Sequence, residues 1–108
     1  MPKYLSLFSF KGETLGRLVQ TPSDREAVLR ELIESAGGSL ESYYVMFGQY
    51  DGCLILDAPD SMTTAAIAVS VASSGAFAGI ETHELMTSAQ LLEVLDRAKN
   101  LTYRPPGE

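Results

Sequence analysis

Three side chains in this chain have the chemistry for proton transfer: Tyr50, Asp51 and His83. Tyr50 and Asp51 are adjacent within Gly48-Gln49-Tyr50-Asp51-Gly52, a stretch rich in turn-forming residues. At the end of a hairpin, a carboxylate can serve as a base and a phenol as a hydrogen-bond donor to whatever occupies a neighbouring cleft. The structural alternative is that Asp51 before Gly52 is turn chemistry and that Tyr50 packs on a neighbour. His83 is the only histidine. Its ordinary pKa suits proton transfer near neutrality, but only if its strand lines a cavity. Glu81 and Glu84 lie three apart on an expected strand, so they point to opposite faces and do not form a carboxylate pair.

Other chemistries lack their parts. One histidine and one cysteine leave too few ligands for a metal cluster, so neither a metal nor a cofactor is expected. Gly12-x-x-x-Gly16 lacks the Lys-Ser/Thr of a phosphate loop. Cys53 sits in the apolar run Cys53-Leu54-Ile55-Leu56 and reads as a small core residue. Phe8, Phe10, Tyr44 and Met46 are the candidate walls of a small apolar binding site; Phe8, Phe10 and Met46 also read as interface core.

The elements that position these residues follow from periodicity and punctuation. Residues 3–10 are aromatic-rich and read as a strand. Residues 11–21, with Gly12 and Gly16, read as a connection with one helical turn. The next helix starts at Thr21 or Ser23, with Ser23-x-x-Glu26 as a capping box; Val28, Leu29, Leu32, Ile33 and Ala36 form its apolar face, and Gly37-Gly38 stops it. Residues 39–47 and 53–57 read as a hairpin around the Gly48–Gly52 turn. Asp60 caps a helix over 61–74, rich in small residues that let it approach a sheet closely. Residues 77–86 read as a fourth strand. Thr87-x-x-Gln90 caps a last helix with Leu91, Leu92, Leu95 and Ala98 on its apolar face. The order is βαββαβ plus a C-terminal helix, an α+β chain of ferredoxin-like topology with a four-stranded antiparallel sheet. One domain is expected over 1–98, with 99–108 as an extended or disordered tail.

Composition bounds the partners. Hydrophobic residues make up 45%, enough for a globular core. The net charge of −6 and the scattered basic residues argue against nucleic acid, which requires clustered Lys and Arg. No apolar run approaches the roughly 20 residues of a membrane span, and no signal peptide is apparent, so a cytoplasmic protein is expected.

The strands themselves call for a partner. A sheet with one face in water alternates apolar and polar residues. Here Leu5 and Leu7 oppose Tyr4, Phe8 and Phe10; Cys53 and Ile55 oppose Leu54 and Leu56; Tyr44 and Met46 oppose Tyr43, Val45 and Phe47. Two helices cover one face only. Four large side chains left bare, at ~100 Å² each, reach the size at which an apolar patch marks an interface. Burying that area is worth on the order of 10 kcal/mol gross, before the cost of association. A homodimer through the sheet face is the simplest cover.

The motif at Gly48, Tyr50 and Asp51 resembles that of the GYD-domain family, named for such a stretch. Tyr4-Leu5-Ser6-Leu7, Gly16, Arg25, Ala58-Pro59-Asp60 and Glu81-Thr82 fit the same pattern in order and spacing, over most of residues 4–95. The resemblance implies a dimeric α/β-barrel fold. The wider barrel group includes cofactor-free monooxygenases, lactone isomerases, haem enzymes and ligand-sensing domains, so it implies no single activity. Three readings follow: a self-associating module that binds a small apolar molecule between sheet and helices; a cofactor-independent monooxygenase or isomerase for an aromatic or lactone-like substrate, using Tyr50, Asp51 or His83; and, if no pocket exists, a purely structural oligomer.

Overall fold

A computed structural model describes residues 1–107. Along the chain run β1 (Lys3–Phe10), α1 (Gly12–Gln20), α2 (Arg25–Ser35), β2 (Ser39–Val45), β3 (Gly52–Asp57), α3 (Ser61–Ala72), β4 (Phe77–Leu85) and α4 (Ser88–Lys99). The strands form one antiparallel sheet in the order β2-β3-β1-β4. This is the split βαβ arrangement, with β1 and β3 in the centre. Residues 100–107 carry neither helix nor strand; Glu108, the end of the expected tail, lies outside the described residues.

Local chemistry sets most boundaries. Gly37, at φ +85°, ends α2 in a conformation that favours glycine. Asp60 caps α3 by accepting from Thr63 N at 2.7 Å, and that bond holds its carboxyl below the ordinary range. Thr87 and Gln90 complete the capping box of α4 in both directions. Two expectations change. The cap of α2 is Asp24, which accepts from Ala27 N at 3.2 Å, in place of Ser23 or Thr21. The first connection holds a full nine-residue helix, α1, where one turn was expected. Its glycines face open space, and its start is tied to the sheet end by Lys11 N and Thr14 Oγ1, both donating to Ala76 O.

The register decides which face each side chain takes. Tyr4 and Phe8 of β1, Leu54 and Leu56 of β3, and Leu40 of β2 join Ile33 of α2 and Ile67 of α3 in the buried core. A bulge at Glu41 inserts one residue between Leu40 and Ser42, so Tyr43 stays on the helix side. Glu41 then reaches Lys3 Nζ at 2.9 Å, and Asp57 meets the same ammonium at 3.1 Å. α2 packs over β2 and α3 over β4, leaving β1 and β3 as the floor of a groove between the helices. Phe8, Phe10, Phe77 and Tyr43 cluster on that side, with ring centroids 5.0–5.9 Å apart.

Among the described residues no helix packs on the opposite face. Leu5 and Leu7 pair across to Ile55 and Cys53, and none of the four joins the core. Cys53 is therefore half-buried on the bare face, not in the core as the apolar run suggested. The strand β2 also ends two residues early: Met46 N donates to Asp51 O at 2.9 Å to close the hairpin, and Phe47 projects fully into solvent.

Gly52 is the tightest point of the core. A Cβ there would stand 2.2 Å from Phe8 Cζ, because the ring lies directly over the glycine with which Phe8 pairs. Gly52→Ala should therefore displace Phe8 and cost about 1–3 kcal/mol of overpacking, read as a lower urea midpoint at unchanged slope.

Candidate functional site

The hairpin motif is first a clasp on β1. Asp51 N donates to Phe8 O at 2.8 Å, and the Asp51 carboxylate accepts from Phe10 N at 2.7 Å. Ser9 Oγ adds a bond to Gln49 O at 3.0 Å. Gly48 allows the turn, with φ +148°. Asp51 thus continues the β3 pairing past the strand end and satisfies a β1 donor with its side chain.

Tyr50 takes the other face. It reaches across β1 to β4, where its hydroxyl donates to Glu81 Oε1 at 2.6 Å. His83, two residues on along the same strand, brings Nε2 within 3.4 Å of Glu81 Oε2. Glu81 pairs with Leu7 and His83 with Leu5, so both stand on the bare face of the sheet. The hydrogen bond from Tyr50, and secondarily that from His83, holds the Glu81 carboxyl below its ordinary range. The same carboxylate raises the Tyr50 phenol, which stays protonated as the donor. The sequence placed Glu81 in the family pattern and ruled out its pairing with Glu84, but did not join it to Tyr50 or His83. The pairing of Glu81 with a residue 31 positions away leaves no local signal.

The three candidate proton-transfer residues therefore divide. Tyr50 and His83 meet at Glu81 in the open, whereas Asp51 is engaged with backbone at the sheet end. None of them lines the partly open apolar pocket beneath the helices.

That space lies in the groove between α2, α3 and the sheet. It is a cavity of about 200 Å³. Phe8, Phe10, Leu54 and Leu56 form its floor, Val28, Leu29 and Leu32 of α2 one wall, and Ile67, Ala68 and Val71 of α3 the other. Small side chains on α3 are what leave the room. Polar groups on the lining are few. Ser6 Oγ and Thr82 Oγ1 bond each other at 2.8 Å, and Thr64 Oγ1 donates to Asp60 O at 3.0 Å. Tyr43 lines the cavity as well, and burial, the chief cause, pushes its phenol up. Arg25 is the one charged lining residue among those described.

The four candidate apolar contacts fall in two places: Phe8 and Phe10 line this cavity, while Phe10, Tyr44 and Met46 border an open depression beside the hairpin, together with Asp51. Phe8 and Phe10 are on the helix-covered side, in the cavity floor, and not in a sheet-face interface. Tyr44 pairs with Cys53 and stands on the bare face, 68% exposed. Met46 has left the strand for the turn. A strand of strict alternation to Phe47 predicted otherwise; the hairpin closes at Met46 instead. Among the described residues no group of three or more His, Cys, Asp or Glu could hold a metal ion, and no helix is long and apolar enough to cross a membrane.

Strand order, crossover helices and a covered and a bare sheet face define a ferredoxin-like α+β domain. The chain belongs to the GYD-domain family, whose model matches residues 4–95. Two solved structures share the fold. MtbAldR superposes with a TM-score of 0.57 at 13% identity, over 81% of this chain and 53% of that one, so this chain spans about half of it. TTHA0845 from Thermus thermophilus gives a TM-score of 0.54 at 18% identity, over 82% of this chain and 96% of that one. No curated protein matches the sequence. Neither the family nor these likenesses establish a specific function, and a cofactor-independent monooxygenase or isomerase is not favoured.

The clasp has a direct test. Asp51→Ala leaves Phe10 N without its acceptor and should cost on the order of 1–2 kcal/mol in urea unfolding. Asp51→Asn keeps a carbonyl oxygen in place and should recover most of that loss.

Proposed function

We propose that this GYD domain is a self-associating, non-catalytic module that holds a small apolar molecule in the cavity between α2, α3 and the sheet. The cavity carries the binding half of the reading. An apolar cavity of about 150 Å³ stays dry and accepts benzene. At about 200 Å³, with an aromatic and aliphatic lining, this one suits a single substituted ring or a short branched chain. The lining offers no carboxylate or imidazole to act on such a molecule, which supports binding over turnover.

The bare face supports the self-association half. Leu5, Leu7, Cys53 and Ile55 occupy the two central strands, while Glu81 and His83 stand on the β4 edge and Ser42 and Tyr44 on the β2 edge. An apolar centre within a more polar margin is the usual anatomy of an interface. A second copy laid face to face covers it under one twofold axis.

Thermal melts of the wild-type domain with benzene, indole and short branched alcohols test the cavity. A binder at ten times its Kd adds about 1.4 kcal/mol and raises Tm by several degrees. Ala68→Phe, which fills the space, should abolish the rise; equal shifts in this variant, or none in the wild type, refute cavity binding.

Sedimentation equilibrium tests the face. The wild type is expected as a dimer and Leu7→Glu as a monomer. Cys53 supplies a second readout, because its thiol should react with a disulfide reagent faster on dilution as the face opens. A labelling rate independent of concentration, with a wild-type monomer, defeats the dimer.

A further inference from the structure

α4 is a well-made helix with little of the described chain against it. Its capping box is complete, and Glu93 and Arg97 pair at 2.7 Å one turn apart. Leu91, Val94, Leu95 and Ala98 recur at helical spacing along one side, with Leu92 beside them; Glu93, Asp96 and Arg97 take the other side. Yet no residue of α4 is buried, and Leu91, Leu92 and Leu95 are 47%, 69% and 54% exposed. The radius of gyration is 17.5 Å, whereas a compact chain of this length comes to about 13 Å. The long axis is 58 Å against 35 and 23 Å for the others. The helix projects away from the body and does not fold back on it.

An isolated helix of 12 residues is marginal in water, because its hydrogen bonds scarcely repay the ordering of the backbone. Its apolar stripe needs a surface. The size of the bare sheet face says which. Four strands ~4.8 Å apart and roughly 25 Å long present about 450 Å². A stable interface covers about 800 Å² on each partner. In flat projection the sheet face alone is roughly half of that figure. Four exposed leucine and valine side chains of ~100 Å² each add a comparable area. At 1.5 Å per residue the helix is about 18 Å long, close to the width of the four-stranded sheet it would flank. It is also joined to that face: Leu85 pairs with Lys3 on the bare side, and only Met86 and Thr87 intervene before α4 begins.

We infer that α4 is an exchanged arm: each copy lays the Leu91–Leu95–Ala98 stripe against the flank of a second copy of this chain, so the dimer is closed by two reciprocal helices as well as by the sheets. This rests on the face-to-face association proposed above and assigns to α4 the surface that the sheet lacks.

Two measurements on the full chain test it. In sedimentation equilibrium, Leu91→Glu/Leu95→Glu should weaken the wild-type dimer at least tenfold, while Glu93→Ala/Asp96→Ala on the opposite side leaves it unchanged. In hydrogen exchange, α4 amides should gain protection as concentration rises through the dimer Kd. Because α4 touches so little of its own chain, the double variant should keep the sheet's amide protection. A wild-type dimer that the leucine substitutions leave equally tight overturns the arm and leaves the sheet-face dimer standing. Protection of α4 that does not vary with concentration overturns it too, since the helix is then packed on its own chain or on nothing. A wild type that is monomeric throughout removes both the arm and the association beneath it.

Discussion

The constraint behind this molecule is a sheet with two apolar faces and one layer of helices. β1 and β3 alternate large side chains to both sides, so any arrangement that buries Tyr4, Phe8, Leu54 and Leu56 under α2 and α3 leaves Leu5, Leu7, Cys53 and Ile55 outward. Hydrophobic burial has no preferred direction. The covered face becomes a core because two helices are available, and the bare face stays bare because the other two are not. α1 sits at the sheet end, tied to Ala76, and α4 points away.

The covered face is also incompletely filled. α2 lies over β2 and α3 over β4, and the small side chains of α3 do not close the gap above β1 and β3. Protein interiors are normally packed to the density of organic crystals, so an apolar space of this size is a departure from the rule. Empty, it forfeits dispersion contacts along its lining; occupied, it regains them. The same residues that complete the core, Phe8 and Leu54 above all, are thereby the floor of the cavity.

The GYD motif joins the two faces. Gly48 turns the chain, Asp51 binds backbone at the end of β1, and Tyr50 crosses the bare side to Glu81. Gly52, next in sequence, yields its side-chain volume to the Phe8 ring. The motif therefore sets the register of the hairpin against β1 and the placement of an aromatic ring in the core. Tyr50 and Asp51 make their side-chain hydrogen bonds in different places, Tyr50 to Glu81 on β4 and Asp51 to Phe10 N at the end of β1.

Most of the element order was legible in the sequence, because it is written in local patterns. Short aromatic and aliphatic runs between turn residues marked the strands, Gly37-Gly38 and Asp60 marked helix ends, and Thr87-x-x-Gln90 marked the start of α4. The two-sided apolar pattern of β1 and β3 was equally plain. Misreadings arose where a local cue met a non-local bond. Gly12 and Gly16 looked like breaks, but Lys11 N and Thr14 bond to Ala76, 62 positions on from Thr14, and hold α1 in place. Alternation through Phe47 looked unbroken, but Asp51 closes the hairpin at Met46. Only the tertiary structure brought Tyr50 and His83 to Glu81, sent the Asp51 carboxylate to Phe10 N, and opened a cavity above Phe8. Each depends on which strands pair and in what register, and pairing joins residues dozens of positions apart that no period within one segment records.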